Sequence, residues 1–88
     1  MTSGATTITV RYFAAARAAA GVEVDKVQVA ANSTVADLLD AIRAEHGPEL
    51  ARVLARCSYL LDEVAVRDQS APIAHATSLD VLPPFAGG

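Results

Sequence analysis

Eighty-eight residues, 52% of them hydrophobic, are enough for one small core and leave no room for a second. Seven basic against ten acidic side chains give a net charge of −3, and with no basic cluster, two Tyr, two Phe and no Trp the composition speaks against nucleic-acid binding. No apolar run approaches a transmembrane helix, no signal-peptide pattern opens the chain, and the single Cys57 makes neither an internal disulfide nor a metal-ligand spacing, so a cytoplasmic globular protein without a membrane partner is expected.

Residues 1–5 read as a disordered leader and 6–82 as one domain. The stretch TITVRYF alternates, with Ile8, Val10 and Tyr12 on one face and Thr7, Thr9, Arg11 and Phe13 on the other. This is the pattern of a half-buried strand, and either set of side chains can be the inward one. AAARAAAG follows; alanine favours helix, but eight residues do not sustain one alone, so a helical turn or compact loop ending at Gly21 is expected. KVQVA is a second short strand, with Val27 and Val29 inward. STVADLLDAIRAEHG carries the clearest helix signature: Ser33 or Thr34 as N-cap, Asp37 three residues after Thr34 as a capping-box partner, and Val35, Leu38, Leu39 and Ile42 in one apolar stripe. Gly47 and Pro48 end it, and His46 beside them has the position of a cation favoured by the helix dipole.

ELARVLAR supplies another helical turn or two, with Leu50, Val53 and Leu54 inward. CSYLL and VAVR read as strands joined by a tight turn at Asp62-Glu63, and SLDVL as the last strand, ended by Pro83, which has no ladder donor. Five short strands and one main amphipathic helix predict a two-layer α+β domain, the helix stripe packed on one sheet face and the other face left to solvent or a partner.

The segment 83–88, PPFAGG, is expected to be an extended tail. Two prolines favour polyproline II, and six extended residues reach about 20 Å. Phe85 on such an arm suits a partner's pocket, with a packed-back aromatic as the alternative. Gly87 and Gly88 lack a β-carbon and enter a channel too narrow for other residues. At a glycine frequency of about 7% the terminal pair arises by chance in roughly one chain in two hundred. A carboxylate is a poor electrophile, but as a mixed anhydride with AMP it accepts a sulfur nucleophile, so this tail suits being a substrate of other enzymes and carries nothing that makes it a catalyst.

The opening VRYFAAARAAAG, the strand-helix-strand body and the closing VLPPFAGG together resemble the ubiquitin-like sulfur carriers of β-grasp fold, and within that group the small subunit of molybdopterin synthase. The resemblance runs from Thr7 onward, and its most specific parts are Phe13-Ala14 with Arg17 and Gly21, and the Pro-Pro-x-Ala-Gly-Gly end. It implies that an activating enzyme uses ATP to adenylate the Gly88 carboxylate and that a sulfur donor of rhodanese or cysteine desulfurase type converts it to a thiocarboxylate. The tail, Pro83, Pro84, Phe85, Ala86 and Gly87, then inserts into the large synthase subunit, where sulfur passes to cyclic pyranopterin monophosphate. The resemblance also implies catalytic side chains on the large subunit and no cofactor bound by this chain; the alternatives are a sulfur carrier for thiazole, cysteine or another thio-cofactor pathway, or a ubiquitin-like protein modifier that joins Gly88 to target lysines.

Leu82, Phe13 and Arg17 are the candidate interface residues, although the first reading of Arg17 is a local ion pair and the second a contact with an acidic partner surface. Cys57 reads either as a sulfur relay or as a small buried hydrophobe opening a strand, and neither His46 nor His75 has a companion metal ligand. The chain departs from the family pattern at Ala18, where Glu is frequent, at Ala76-Thr77, where a Gly-Asp turn is usual, and near Asp62-Glu63, where an Asn is common.

Overall fold

Three helices cover one face of a five-stranded sheet in the computed structural model, which describes residues 4–84. The strands are β1 (Ala5–Tyr12), β2 (Val24–Ala30), β3 (Ser58–Leu61), β4 (Val64–Ala65) and β5 (Ser78–Leu82), and the helices are α1 (Ala14–Ala20), α2 (Val35–His46) and α3 (Pro48–Leu54). The strands lie in the order β2-β1-β5-β3-β4. β1 and β5 run parallel and every other pair is antiparallel, which is the mixed sheet of the β-grasp fold.

α2 forms where its sequence says it must. Thr34 Oγ1 accepts from the Asp37 N–H at 3.2 Å, and Asp37 Oδ2 accepts from the Thr34 N–H at 3.0 Å, a reciprocal capping box of about 1 kcal/mol. The N–H groups of Val35 and Ala36 donate to the carbonyls of Ala71 and Gln69, so the loop before β5 satisfies first-turn donors that have no partner within the helix. Val35, Leu38, Leu39 and Ile42 are fully buried against Ile8, Val10, Leu79 and Val81; each such side chain contributes about 1.5–3 kcal/mol.

Of the two faces offered by β1, the one with Ile8, Val10 and Tyr12 is the core. The β5 register fixes this, because Val10 lies beside Leu79 and Tyr12 beside Val81 in one inward row. On the opposite face Arg11 meets Asp80 with two bonds, Nε to Oδ1 at 2.7 Å and Nη2 to Oδ2 at 3.0 Å. That bidentate pair clamps β1 to β5 from outside.

Three local expectations change. Ala5 pairs with Ala30 and the Ala31 N–H donates to Gly4 O, so Ala5 belongs to β1 rather than to a leader. Likewise β2 starts at Val24, two residues before Lys26. α1 is a seven-residue helix rather than a loop: Ala16 is buried in the common core, α1 packs on α3, and Gly21, with φ 78°, caps it by donating to Arg17 O. His46 does sit in the last turn of α2, but its Nε2 lies 2.7 Å from Asp25 Oδ2, which also accepts from the Tyr12 hydroxyl at 3.3 Å. The Tyr12 and His46 rings meet edge-on at 5.7 Å. This cluster ties the end of α2 to β1 and β2, and burial together with the Asp25 charge pushes the Tyr12 phenol pKa well up.

The β3–β4 turn is made by Asp62 and Glu63, both at positive φ, 47° and 69°. Those are the signs of a two-residue hairpin turn that usually takes Asn-Gly. Asp62 Oδ1 accepts from the N–H groups of Thr77 and Ser78, both at 2.9 Å, and from their hydroxyls, which pins the turn to the start of β5. Glu63→Gly removes the side-chain penalty of a left-handed residue and is expected to stabilise the fold by about 0.5–1 kcal/mol, measured by urea unfolding.

The bonds from Thr77 and Ser78 hold the Asp62 carboxyl below its ordinary value of 3.8. A depressed folded pKa contributes stability that is present above the ordinary value and lost as pH falls through the folded one. Asp62→Asn is therefore expected to be less stable than wild type near neutral pH and to lose less on acidification; parallel unfolding curves for the two proteins disprove the clamp.

Candidate functional site

The strand that leads to the tail is the middle strand of the sheet. β5 is held by β1 on one side, where Val81 lies beside Tyr12, and by β3 on the other, where Leu82 lies opposite Ser58. The Phe13 N–H donates to Val81 O at 3.2 Å. Pro83 follows, and with no N–H it ends the ladder. Pro83 is half-buried and Pro84 exposed, so the chain leaves the sheet at a fixed place, beside the start of α1 and the end of α3. Phe85, Ala86, Gly87 and Gly88 lie outside the described residues.

Two grooves flank that place. One, of about 580 Å³, is lined by Phe13, Ala14, Arg56, Leu82, Pro83 and Pro84. The other, of about 200 Å³, is lined by Ala15, Arg52, Val53, Arg56, Pro83 and Pro84. Phe13 is 41% exposed, a large apolar side chain left facing water at the rim of the first groove. Ala14 explains how it gets there. Its φ of 52° turns the chain from β1 into α1 within one residue, at a cost of about 1–2 kcal/mol for a left-handed residue. Left-handed non-glycine residues of this kind cluster at functional sites.

The sequence-derived candidates are thus partly brought together. Phe13, Leu82, Pro83 and Pro84 share one groove. Arg17 lies outside it, 3.4 Å from Glu23 across an exposed pair, so the local-ion-pair reading of Arg17 is the one the geometry carries. Arg52 and Arg56 were not singled out from the sequence, because nothing in ELARVLAR places them beside residues 83 and 84; only the packing of α3 on α1 does so.

Cys57 donates from Sγ to Val53 O at 3.2 Å, packs against the core, and burial pushes its thiol pKa up. Its environment favours the neutral thiol, as for a structural cysteine. Next to it the Tyr59 hydroxyl donates to Leu54 O at 2.6 Å, closing the end of α3, with its pKa pushed up to about 12 by burial. Among the described residues no group of three His, Cys, Asp or Glu side chains is placed to hold a metal ion, and no helix is long and apolar enough to cross a membrane.

A mixed β-grasp sheet whose last strand is central and parallel to the first defines a ubiquitin-like protein. The ThiS family profile matches residues 10–88, and the chain belongs to the ThiS family; it is a ubiquitin-like sulfur carrier or modifier. Comparison with curated proteins returns no significant match.

Among solved structures it is similar to SAMP1 from Haloferax volcanii, at 27% identity over 94% of this chain and all of that one, with a TM-score of 0.82. It shares its fold with the putative molybdopterin converting factor subunit 1 from Pyrococcus furiosus, 20% identical, covering 91% of this chain and 99% of that one, TM-score 0.79. The same fold appears in the complex of subunits 1 and 2 of the molybdopterin-converting factor from Helicobacter pylori, 22% identical over 94% of this chain and all of the matched chain, TM-score 0.66.

Because Ala14 is exposed, its substitutions probe backbone conformation rather than packing. Ala14→Val, a β-branched residue at positive φ, is expected to lower stability by about 1–3 kcal/mol, whereas Ala14→Gly is expected to match or exceed wild type. Thermal melts of the two variants make the comparison; equal losses from both contradict the left-handed turn.

Proposed function

We propose that this chain is the sulfur-carrying small subunit of a molybdopterin synthase. In this reading the Gly88 carboxylate attacks ATP within an activating enzyme, releasing pyrophosphate and leaving an acyl adenylate. The outer persulfide sulfur of a rhodanese- or cysteine desulfurase-type donor attacks the acyl carbon and displaces AMP, leaving an acyl disulfide. A second thiol then attacks the donor's own sulfur, forms a disulfide with it and releases the Gly88 thiocarboxylate. The tail then enters the large subunit, Phe85 anchoring it and Gly87 and Gly88 passing the narrow end of the channel, and the sulfur is delivered to cyclic pyranopterin monophosphate. Two rounds build the dithiolene that holds molybdenum.

The observation that carries this reading is the anchoring of the tail's root. β5 is paired with β1 as far as Val81 and with β3 as far as Leu82, and stops at Pro83, with an apolar groove beside it, and the family match runs through residue 88. A rigid base and an arm free of bulky residues at its end is the geometry a carried carboxylate needs to reach two successive enzymes. The Helicobacter pylori relative, whose subunit 1 was solved in complex with subunit 2, supports a large-subunit partner.

A second reading is favoured by the kinship with small archaeal modifier protein 1 of Haloferax volcanii, 27% identical: Gly88 joined to target lysines through an isopeptide bond. Deleting Gly87 and Gly88 separates the alternatives. The carrier reading predicts loss of molybdenum-enzyme activity in cells, an unchanged melting curve, and no ladder of heavier conjugates with the wild-type chain. Conjugates that vanish with the two glycines support the modifier, full molybdenum-enzyme activity of the deletion contradicts the carrier, and the absence of any conjugate of the wild-type chain contradicts the modifier.

A further inference from the structure

We infer that Arg52 and Arg56 form a cationic pad that recognises an acidic segment of the enzyme receiving the tail; the inference rests on the carrier reading above. The two guanidinium-bearing residues stand four apart across the C-terminal end of α3, and both are exposed. Arg52 lies in the last turn of α3 and Arg56 in the turn just past it. Among the described residues neither side chain is in an ion pair or hydrogen bond, although Arg11, Arg17 and Arg43 each have a carboxylate partner. Glu49, three residues before Arg52, does not pair with it either.

Proximity to the α3 C-terminus favours one cation through the helix dipole, but the placement of both is set by more than that. Arg52 and Arg56 line the groove on one side of Pro83 and Pro84, and Arg56 also lines the groove on the other side, opposite Phe13 and Leu82. The root of the tail is therefore bracketed by unneutralised positive charge on a protein whose net charge is −3. An acidic segment meets attraction at the base of the arm on a chain that is acidic as a whole. Such a charge arrangement sets orientation and encounter rate more than affinity. The occupant that fits both grooves is a segment with Asp or Glu carboxylates, for the two arginines, next to an apolar side chain that covers Phe13 and Leu82.

The test uses the full-length chain and, as probe, the adenylating enzyme purified from the same cells by its ability to charge that chain with ATP. Pyrophosphate exchange gives KM and kcat for the chain over a range of salt. Arg52→Glu/Arg56→Glu is expected to raise KM about tenfold or more at low salt with little change in kcat. Arg52→Lys/Arg56→Lys is expected to recover most of the loss, and the wild-type KM to rise with salt toward that of the reversed variant. Circular dichroism and melting curves check that both variants fold. If the wild type is charged but the reversed variant shows the same KM at every salt, the pad is disproved and the carrier reading stands. A wild type that no adenylating enzyme charges overturns the carrier reading and this inference with it.

Discussion

The hydrogen-bond ladder that holds β5 between β1 and β3 governs everything this protein presents to a partner. A terminal strand at a sheet edge frays, and an arm attached to it points nowhere in particular. Here the terminal strand is central, its inward residues Leu79 and Val81 are fully buried under α2, and its outward Asp80 is gripped by Arg11. Asp62 fastens the same strand at its beginning through Thr77 and Ser78. The chain is therefore fixed at Ser78 and at Leu82, and the ladder ends at Pro83, which has no N–H to donate. The sheet thus holds β5 along its whole length, and the proposed role of the residues after it rests on that fixed root.

Around that root, local features that look unfavourable for folding gather at the same end. Ala14 takes a left-handed conformation, Phe13 faces water, and Arg52 and Arg56 have no ion-pair partner among the described residues. The left-handed residue alone costs about 1–2 kcal/mol. None is needed to build the core, which is complete without them in Ile8, Val10, Tyr12 and the α2 stripe. Their coincidence at the root of the tail is what a surface shaped for another protein produces, since local conflicts in an otherwise consistent structure collect where function constrains the residues.

Much of this was legible in the sequence, for identifiable reasons. α2 announces itself through Thr34, Asp37 and its apolar stripe, because capping and periodicity are short-range properties. The Asp62-Glu63 turn and the stop at Pro83 follow from two-residue spacing and a missing donor. The inward face of β1 was undecidable, because alternation alone does not say which set meets a helix; only the parallel pairing with β5, across almost seventy residues, decides it. α1 was underestimated because alanine repeats carry no amphipathic signal, while its stability comes from Ala16 packed in the core. The Tyr12–Asp25–His46 cluster and the arginines beside Pro83 and Pro84 escaped entirely, since each depends on residues brought together by tertiary packing.

The most direct test of the sulfur-carrier account is the mass of the C-terminal fragment of the full-length chain, taken from cells and again after incubation with ATP, an activating enzyme and a persulfide donor. The account predicts replacement of one terminal oxygen by sulfur, mapped to Gly88 and so distinguished from oxidation at Met1 or Cys57. A Gly88 carboxylate left unchanged under conditions that charge a known carrier contradicts it.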